Sequence, residues 1–307
     1  MPNRSVWAAT RVDGPAMTQR GYANTPEGQL HYAVDGAGPP LILLHPGPRS
    51  SRIYWRLMPL LAPHFRCFAL DTLGFGNSDA APPGVRFEQL AQSVVHAMDA
   101  LGLAKAHFFG VHTGNKIATA VGADWPERVD RLILSGMPHS LIVDQARRNA
   151  AIHSFVANFV KFDSSLGEPE LMREWSSAFV SIAKIWWNDL VLGQRQIGMG
   201  RFRILEQRLV DLIQARGSMF ESVRANFAYD LVEGMRRLTG PTLLIELATP
   251  EEEHFGRQGP ALVKMLKHGR LVTIENAGQE IVEEGAERLA PIMIEFLRGP
   301  LEGSSHH

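Results

Sequence analysis

The chain of 307 residues has a single cysteine, Cys67. No disulfide framework can therefore staple it, and because Cys67 stands in the apolar run Cys67-Phe68-Ala69-Leu70, its thiol reads as core rather than catalyst. Neither sign of charge is in excess: 31 Lys and Arg face 32 Asp and Glu, for a formal net charge of -1. With no basic run interleaved with aromatics, nothing favours a nucleic-acid partner. No stretch reaches the about 20 apolar residues of a membrane span, and Met1-Pro2-Asn3-Arg4 does not open a signal peptide. The expectation is a cytoplasmic protein without a membrane partner. Cysteines and histidines show no metal-ligand spacing, so neither a metal nor another cofactor is expected. Internal repeats and low-complexity tracts are also lacking. The end, Leu301 to His307, reads as an expression-tag remnant over 301–307 and is set aside.

What is present is a core-forming chain, 45% hydrophobic, long enough for one large α/β domain with an insertion. Apolar strand-like runs recur at Leu41–Leu44, Cys67–Leu70, His107–Gly110, Leu132–Leu134, Thr242–Ile245 and Leu271–Ile274, with helical spacing between them. That alternation predicts a mostly parallel central sheet flanked by helices on both faces. An earlier hairpin, with Leu30–Val34 as one arm, predicts an antiparallel edge. From Met137 to about Arg237 the rhythm turns helical, with many polar groups expected to be exposed over Met199 to Gln214 and with clustered aromatics at Trp175, Trp186 and Trp187. The boundaries are therefore a core over 21–138 and 238–299 and an inserted helical cap over 139–237. The cap would lie over the C-terminal ends of the strands, where open α/β sheets bind ligands.

Gly110-Val111-His112-Thr113-Gly114 carries the most chemistry. It has the form of a nucleophile elbow, a strand turning sharply into a helix with the central side chain exposed by flanking glycines, and histidine holds the place of serine. The frame with Thr113 at the centre would put Val111 and Asn115 where side chains clash, and is rejected.

Together with three further segments, this stretch resembles the α/β-hydrolase fold superfamily from about Gly21 to Gly299. Leu43-Leu44-His45-Pro46-Gly47-Pro48 is similar to the His-Gly-x-Pro oxyanion loop. Asp71-Thr72-Leu73-Gly74-Phe75-Gly76-Asn77-Ser78 matches the D-x-x-G-x-G-x-S turn at every fixed position, and Glu275-Asn276-Ala277-Gly278-Gln279 stands where the family's base is carried. The resemblance implies an α/β-hydrolase fold with an inserted helical cap. The departures from the family pattern all fall on catalytic positions. Gln279 replaces the base, and an amide does not take up a proton near neutral pH. Glu251, in Thr249-Pro250-Glu251-Glu252-Glu253, is the nearest candidate for the acid, with a solvated acidic loop as the alternative. Pro46 replaces a glycine and removes one backbone donor, leaving Gly47 N–H and Thr113 N–H as the implied oxyanion hole.

A neutral imidazole at His112 is a competent base or nucleophile near pH 7, and the Gln279 amide can orient it. The chemistry expected first is hydrolysis of an ester, thioester or lactone. Cofactor-free carbon–carbon cleavage or decarboxylation with His112 as base is the alternative enzyme, and a non-catalytic pocket for a small ligand is the alternative outside catalysis. His45, Pro46, Met137, His139 and Trp186 are the pocket candidates, His45 doubling as a buried structural side chain. The partner expected is a small apolar or aromatic molecule, and a homodimer is left open.

Overall fold

The computed structural model describes residues 18–136, 199–248, 257–278 and 280–300. The expectations placed on Met137, His139, Trp186, Glu251 and Gln279, on most of the 139–237 insertion and on the 301–307 tail lie outside the described residues.

Eight strands form one sheet: β1 (Gln19–Thr25), β2 (Gly28–Asp35), β3 (Pro40–Leu44), β4 (Arg66–Leu70), β5 (Ala106–Val111), β6 (Val129–Ser135), β7 (Thr242–Ala248) and β8 (Gly269–Glu275). Their order is β1-β2-β4-β3-β5-β6-β7-β8. The β1–β2 and β2–β4 pairs are antiparallel and the rest are parallel. The sheet is thus mostly parallel with an antiparallel edge.

The central strands are apolar at nearly every position because both faces are covered. Alternate residues feed two separate cores, as the two-residue period of a strand requires. Ile42, Leu44, Phe68, Phe108, Leu132 and Leu244 point into one core, which α2 (Phe87–Ala100) and α3 (Thr113–Asp124) close. Leu41, Leu43, Cys67, Phe109, Ile133 and Ile245 point into the other. That core is closed by α1 (Leu57–Leu61) and by the last helix, whose buried Leu289, Ala290, Met293 and Leu297 recur at helical spacing. Each fully buried side chain of this kind contributes about 1.5–3 kcal/mol. Cys67 is buried, and burial pushes its thiol up to about 12.

Between β6 and β7 the described residues form α4 (Met199–Ala228) and α5 (Leu231–Arg237). After β7 come α6 (Gly259–Leu262), then β8, α7 (Ile281–Glu284) and α8 (Ala286–Arg298). The expectation of exposed polar groups over Met199 to Gln214 is corrected at two positions, since Arg208 and Asp211 are buried. Both face ionic partners on the core rather than water. No helix among the described residues is long and apolar enough to cross a membrane.

Candidate active site

The parallel strands end side by side, and Gly136, the residue after β6, lies against His112. Strand β5 ends at Val111 and α3 begins at Thr113, so His112 alone makes the turn. Its backbone takes φ 47° and ψ −106°, a conformation that costs a non-glycine residue of order 1–3 kcal/mol and persists only where the surroundings enforce it. The surroundings do so by close approach. A Cβ on Gly110 would stand 2.2 Å from the carbonyl oxygen of Gly114, and one on Gly114 would stand 2.0 Å from that of Leu44. His112 N–H donates to the Ser135 carbonyl at 3.1 Å, and the His112 carbonyl accepts from Lys116 N–H at 3.2 Å. The turn is therefore sterically defined with histidine at its apex, half-buried.

The loop after β3 lies alongside. His45 is buried with its Nδ1–H donating to the Pro46 carbonyl at 3.0 Å and its Nε2 accepting from Thr72 N–H at 3.1 Å. Both nitrogens are thereby occupied in fixing the loop, and burial lowers the imidazole pKa so that it stays neutral. Pro46 is buried while Gly47 is exposed. A Cβ on Gly47 would lie 3.5 Å from Thr113 Oγ1 and 3.3 Å from the Phe75 ring, so Gly47 borders the Thr113 hydroxyl at the start of α3. Neither the Gly47 nor the Thr113 N–H has an acceptor among the described residues. Tyr54 holds the loop from below through its hydroxyl, which donates to the Leu44 carbonyl at 2.8 Å.

The D-x-x-G-x-G-x-S turn is structural. The buried Asp71 carboxylate accepts from Ser51 N–H at 2.6 Å, His31 Nδ1–H at 2.8 Å and Asn77 N–H at 2.9 Å. Ser78 closes the turn by donating its hydroxyl to the Asp71 carbonyl at 2.6 Å. Beyond β7 and β8, Ala277 N–H reaches the Ala248 carbonyl at 3.3 Å. The segments carrying Glu251 and Gln279 thus leave from neighbouring strand ends.

Several residues at this site escape a reading of motifs. Arg49, just past Pro48, donates through Nε to Asp211 of α4 at 3.1 Å and through Nη1 and Nη2 to Glu283 of α7 at 3.0 and 2.8 Å. Ser50 donates to the second Asp211 oxygen at 2.6 Å. Buried Asn115 donates to the carbonyl of Gly136, which follows β6, at 2.9 Å. Phe75 stacks edge-on with His45 at 5.6 Å between centroids. The only signals in the sequence were the adjacency of Arg49 and Asn115 to the motifs and the position of Glu283 four residues past Gln279. Among the described residues no group of three or more His, Cys, Asp or Glu is placed to hold a metal ion.

Sheet order and strained turn together define the class: the chain has the α/β-hydrolase fold. Comparison with known proteins agrees, since the sequence model described as the alpha/beta hydrolase fold matches residues 39–167. Haloalkane dehalogenase 2 of Mycobacterium tuberculosis (strain ATCC 25618 / H37Rv) is 34% identical over 108 residues, covering 35% of this chain; the chain spans 38% of the length of that relative. Pyrrolizixenacetamide deacetylase of Xenorhabdus hominickii is 24% identical over 268 residues, 83% of this chain and 93% of the relative. The crystal structure of a hydrolase from Pseudomonas aeruginosa PA01 superposes with a TM-score of 0.68 at 20% identity, covering 91% of this chain and 98% of that one.

Proposed function

We propose that the chain is a small-molecule hydrolase acting on an ester, thioester or lactone, with His112 working as base or nucleophile where serine would stand. The observation that carries this reading is the strained turn itself, with φ 47° at a non-glycine residue held between two sterically obligatory glycines. The relatives' names, a dehalogenase, a deacetylase and a hydrolase, support cleavage of a small molecule.

In the nucleophilic route, a lone pair of the His112 imidazole forms a bond to the carbonyl carbon, and the Gly47 and Thr113 N–H groups receive the oxyanion. The alcohol, phenol or thiol leaves with the proton, and water cleaves the acyl-imidazole to release the acid and the free ring. In the base route, His112 takes a proton from water, which attacks directly. Gln279 would orient the ring through its amide, and Glu251 is the candidate acid. On this reading the 139–237 insertion would serve as the cap, and Pro46, Met137, His139 and Trp186 would meet an apolar or aromatic substrate.

The test is turnover of a panel of p-nitrophenyl esters, aryl thioesters and lactones by the wild type and His112→Ala. Removing a base or nucleophile is expected to cost about 100-fold or more. Equal rates in the two proteins would remove His112 from the mechanism. Saturable binding of a panel compound without turnover would give the fold a binding role, and loss of carbon dioxide or carbon–carbon cleavage on a β-keto acid panel would make it a lyase.

A further inference from the structure

The two ring nitrogens of His112 are not equivalent. A Cβ built on Gly136 would stand 2.8 Å from His112 Nε2 and 3.0 Å from its Cδ2. The Nε2–Cδ2 edge of the imidazole therefore lies against the Gly136 backbone, in space that any other residue at 136 would fill. Nε2 is buried there, although His112 as a whole is half-buried. In an imidazole the atom across the ring from that edge is Nδ1, and it points away from Gly136.

Gly136 itself is pinned from three sides. Its φ is +61°, in the left-handed region that glycine occupies readily. Its N–H donates to the Ile245 carbonyl on β7 at 3.2 Å, and its carbonyl accepts from Asn115 Nδ2 on α3 at 2.9 Å. Leu247 Cδ1 would lie 3.4 Å from the same hypothetical Cβ. The seat is thus held by hydrogen bonds from two elements, β7 and α3.

We propose that His112 presents Nδ1, not Nε2, to the ligand, and that Gly136 and Asn115 are the positioning residues that make this choice. The proposal rests on the reading of His112 as the reactive group. In the nucleophilic step the N–C bond then forms at Nδ1, the bond from the carbonyl carbon to the leaving oxygen or sulfur breaks, and the ring proton carried on Nε2 is given up to the departing alcohol, phenol or thiol.

Diethyl pyrocarbonate tests it without a known substrate. The Nδ1 lone pair would attack one pyrocarbonate carbonyl, forming the N–C bond and expelling ethyl carbonate, which decays to ethanol and carbon dioxide. Labelling of residue 112 is followed by peptide mass spectrometry in the wild type, in a protein with Nδ-methylhistidine at 112 installed by an expanded genetic code, and in that protein carrying Gly136→Ala. Circular dichroism and the Tm confirm that each is folded. The expected result is labelling in the wild type, none in the methylated protein over the same time, and recovery when Gly136→Ala displaces the ring and exposes Nε2. Undiminished labelling of the methylated protein, or no labelling of the wild type at 112, would overturn the proposal. Labelling as expected, with turnover unchanged in His112→Ala, would instead sink the catalytic reading and leave the presentation of Nδ1 standing.

Discussion

The guanidinium of Arg49 meets the carboxylate of Glu283 fork to fork, with Nη1 3.0 Å from Oε2 and Nη2 2.8 Å from Oε1. Both side chains are largely buried, at 12% and 1% exposure, and the Arg49 Nε is spent on Asp211. One side chain thereby ties the loop bearing Gly47 to α4 and to the helix that follows position 279. An apolar cluster of equal volume would hold these segments about as well in energy, but without fixing their angles.

Arg49→Met leaves two buried carboxylates without their main counter-charge and is expected to lower stability by about 3–5 kcal/mol. Arg49→Lys keeps the charge but loses the planar fork, and should fall between the two. Urea titration monitored by circular dichroism measures both, and equal midpoints for wild type and Arg49→Met would show the network to be dispensable.

Lys116 is fully buried on α3, with its Nζ donating to the Asn226 carbonyl at 2.5 Å. Burial depresses its pKa from 10.5 to about 7. Between these values the unfolded chain binds the extra proton, so stability rises with pH from about 7 to about 10.5, and below 7 the full penalty for charging the buried amine is felt. Lys116→Met is therefore expected to stabilise the protein at pH 7 by about 2–4 kcal/mol, after about 1 kcal/mol for the lost hydrogen bond. The gain should vanish by pH 10.5. Melting temperatures across pH 6 to 10 would sink the idea if the two proteins ran parallel.

The Asp71 carboxylate behaves in the opposite sense. Burial alone would raise its pKa, but the His31 hydrogen bond and the Asn77 and Ser51 amides outweigh it and hold the group at about 2, against 3.8 unperturbed. The stabilisation, about 2 kcal/mol, is complete above 3.8 and is lost as the pH falls through about 2. Asp71→Asn should flatten the acid limb of the stability curve over that window while lowering the plateau above it. An unchanged acid limb in the variant would assign acid sensitivity to other groups.

Two glycines should respond in opposite directions to the same substitution. At Gly114 a methyl group would sit 2.0 Å from a backbone oxygen of β3, with no flexible neighbour to yield, so Gly114→Ala is expected to destabilise by several kcal/mol or prevent folding. At Gly217, exposed in the interior of α4, nothing lies within 4 Å, and Gly217→Ala should stabilise by about 1 kcal/mol. Thermal melts of the two variants decide both at once.

The central strands were legible because burial on both faces leaves unbroken apolar runs, as at Leu41–Leu44 and Cys67–Leu70. Strand β7 runs on past Ile245 to Ala248, and what hid its end was Glu246, a polar residue retained in the strand because its carboxylate accepts from Gly259 N–H at 2.7 Å. The first arm of the edge hairpin, Gln19–Thr25, is polar because it borders solvent, so only its partner could be read. The turn at His112 was visible as a pattern of glycines, and the geometry matches it. The ionic network was not visible, since Arg208 and Asp211 on α4 look like any solvated helix face until the residues opposite are known. Gly136 was equally silent, its meaning lying in a ring 24 residues earlier in the chain.

Cys67 has a practical use that its chemistry does not suggest. Sealed inside the sheet with a thiol held near 12, it should be inert to maleimides and nitroxide reagents at neutral pH. Two cysteines engineered onto the surface, one on α4 and one on the β1–β2 hairpin, would then be the sites that take dyes or spin labels. Distances between α4 and the β1–β2 hairpin could be followed in solution without first stripping the native sequence of its own sulfhydryl.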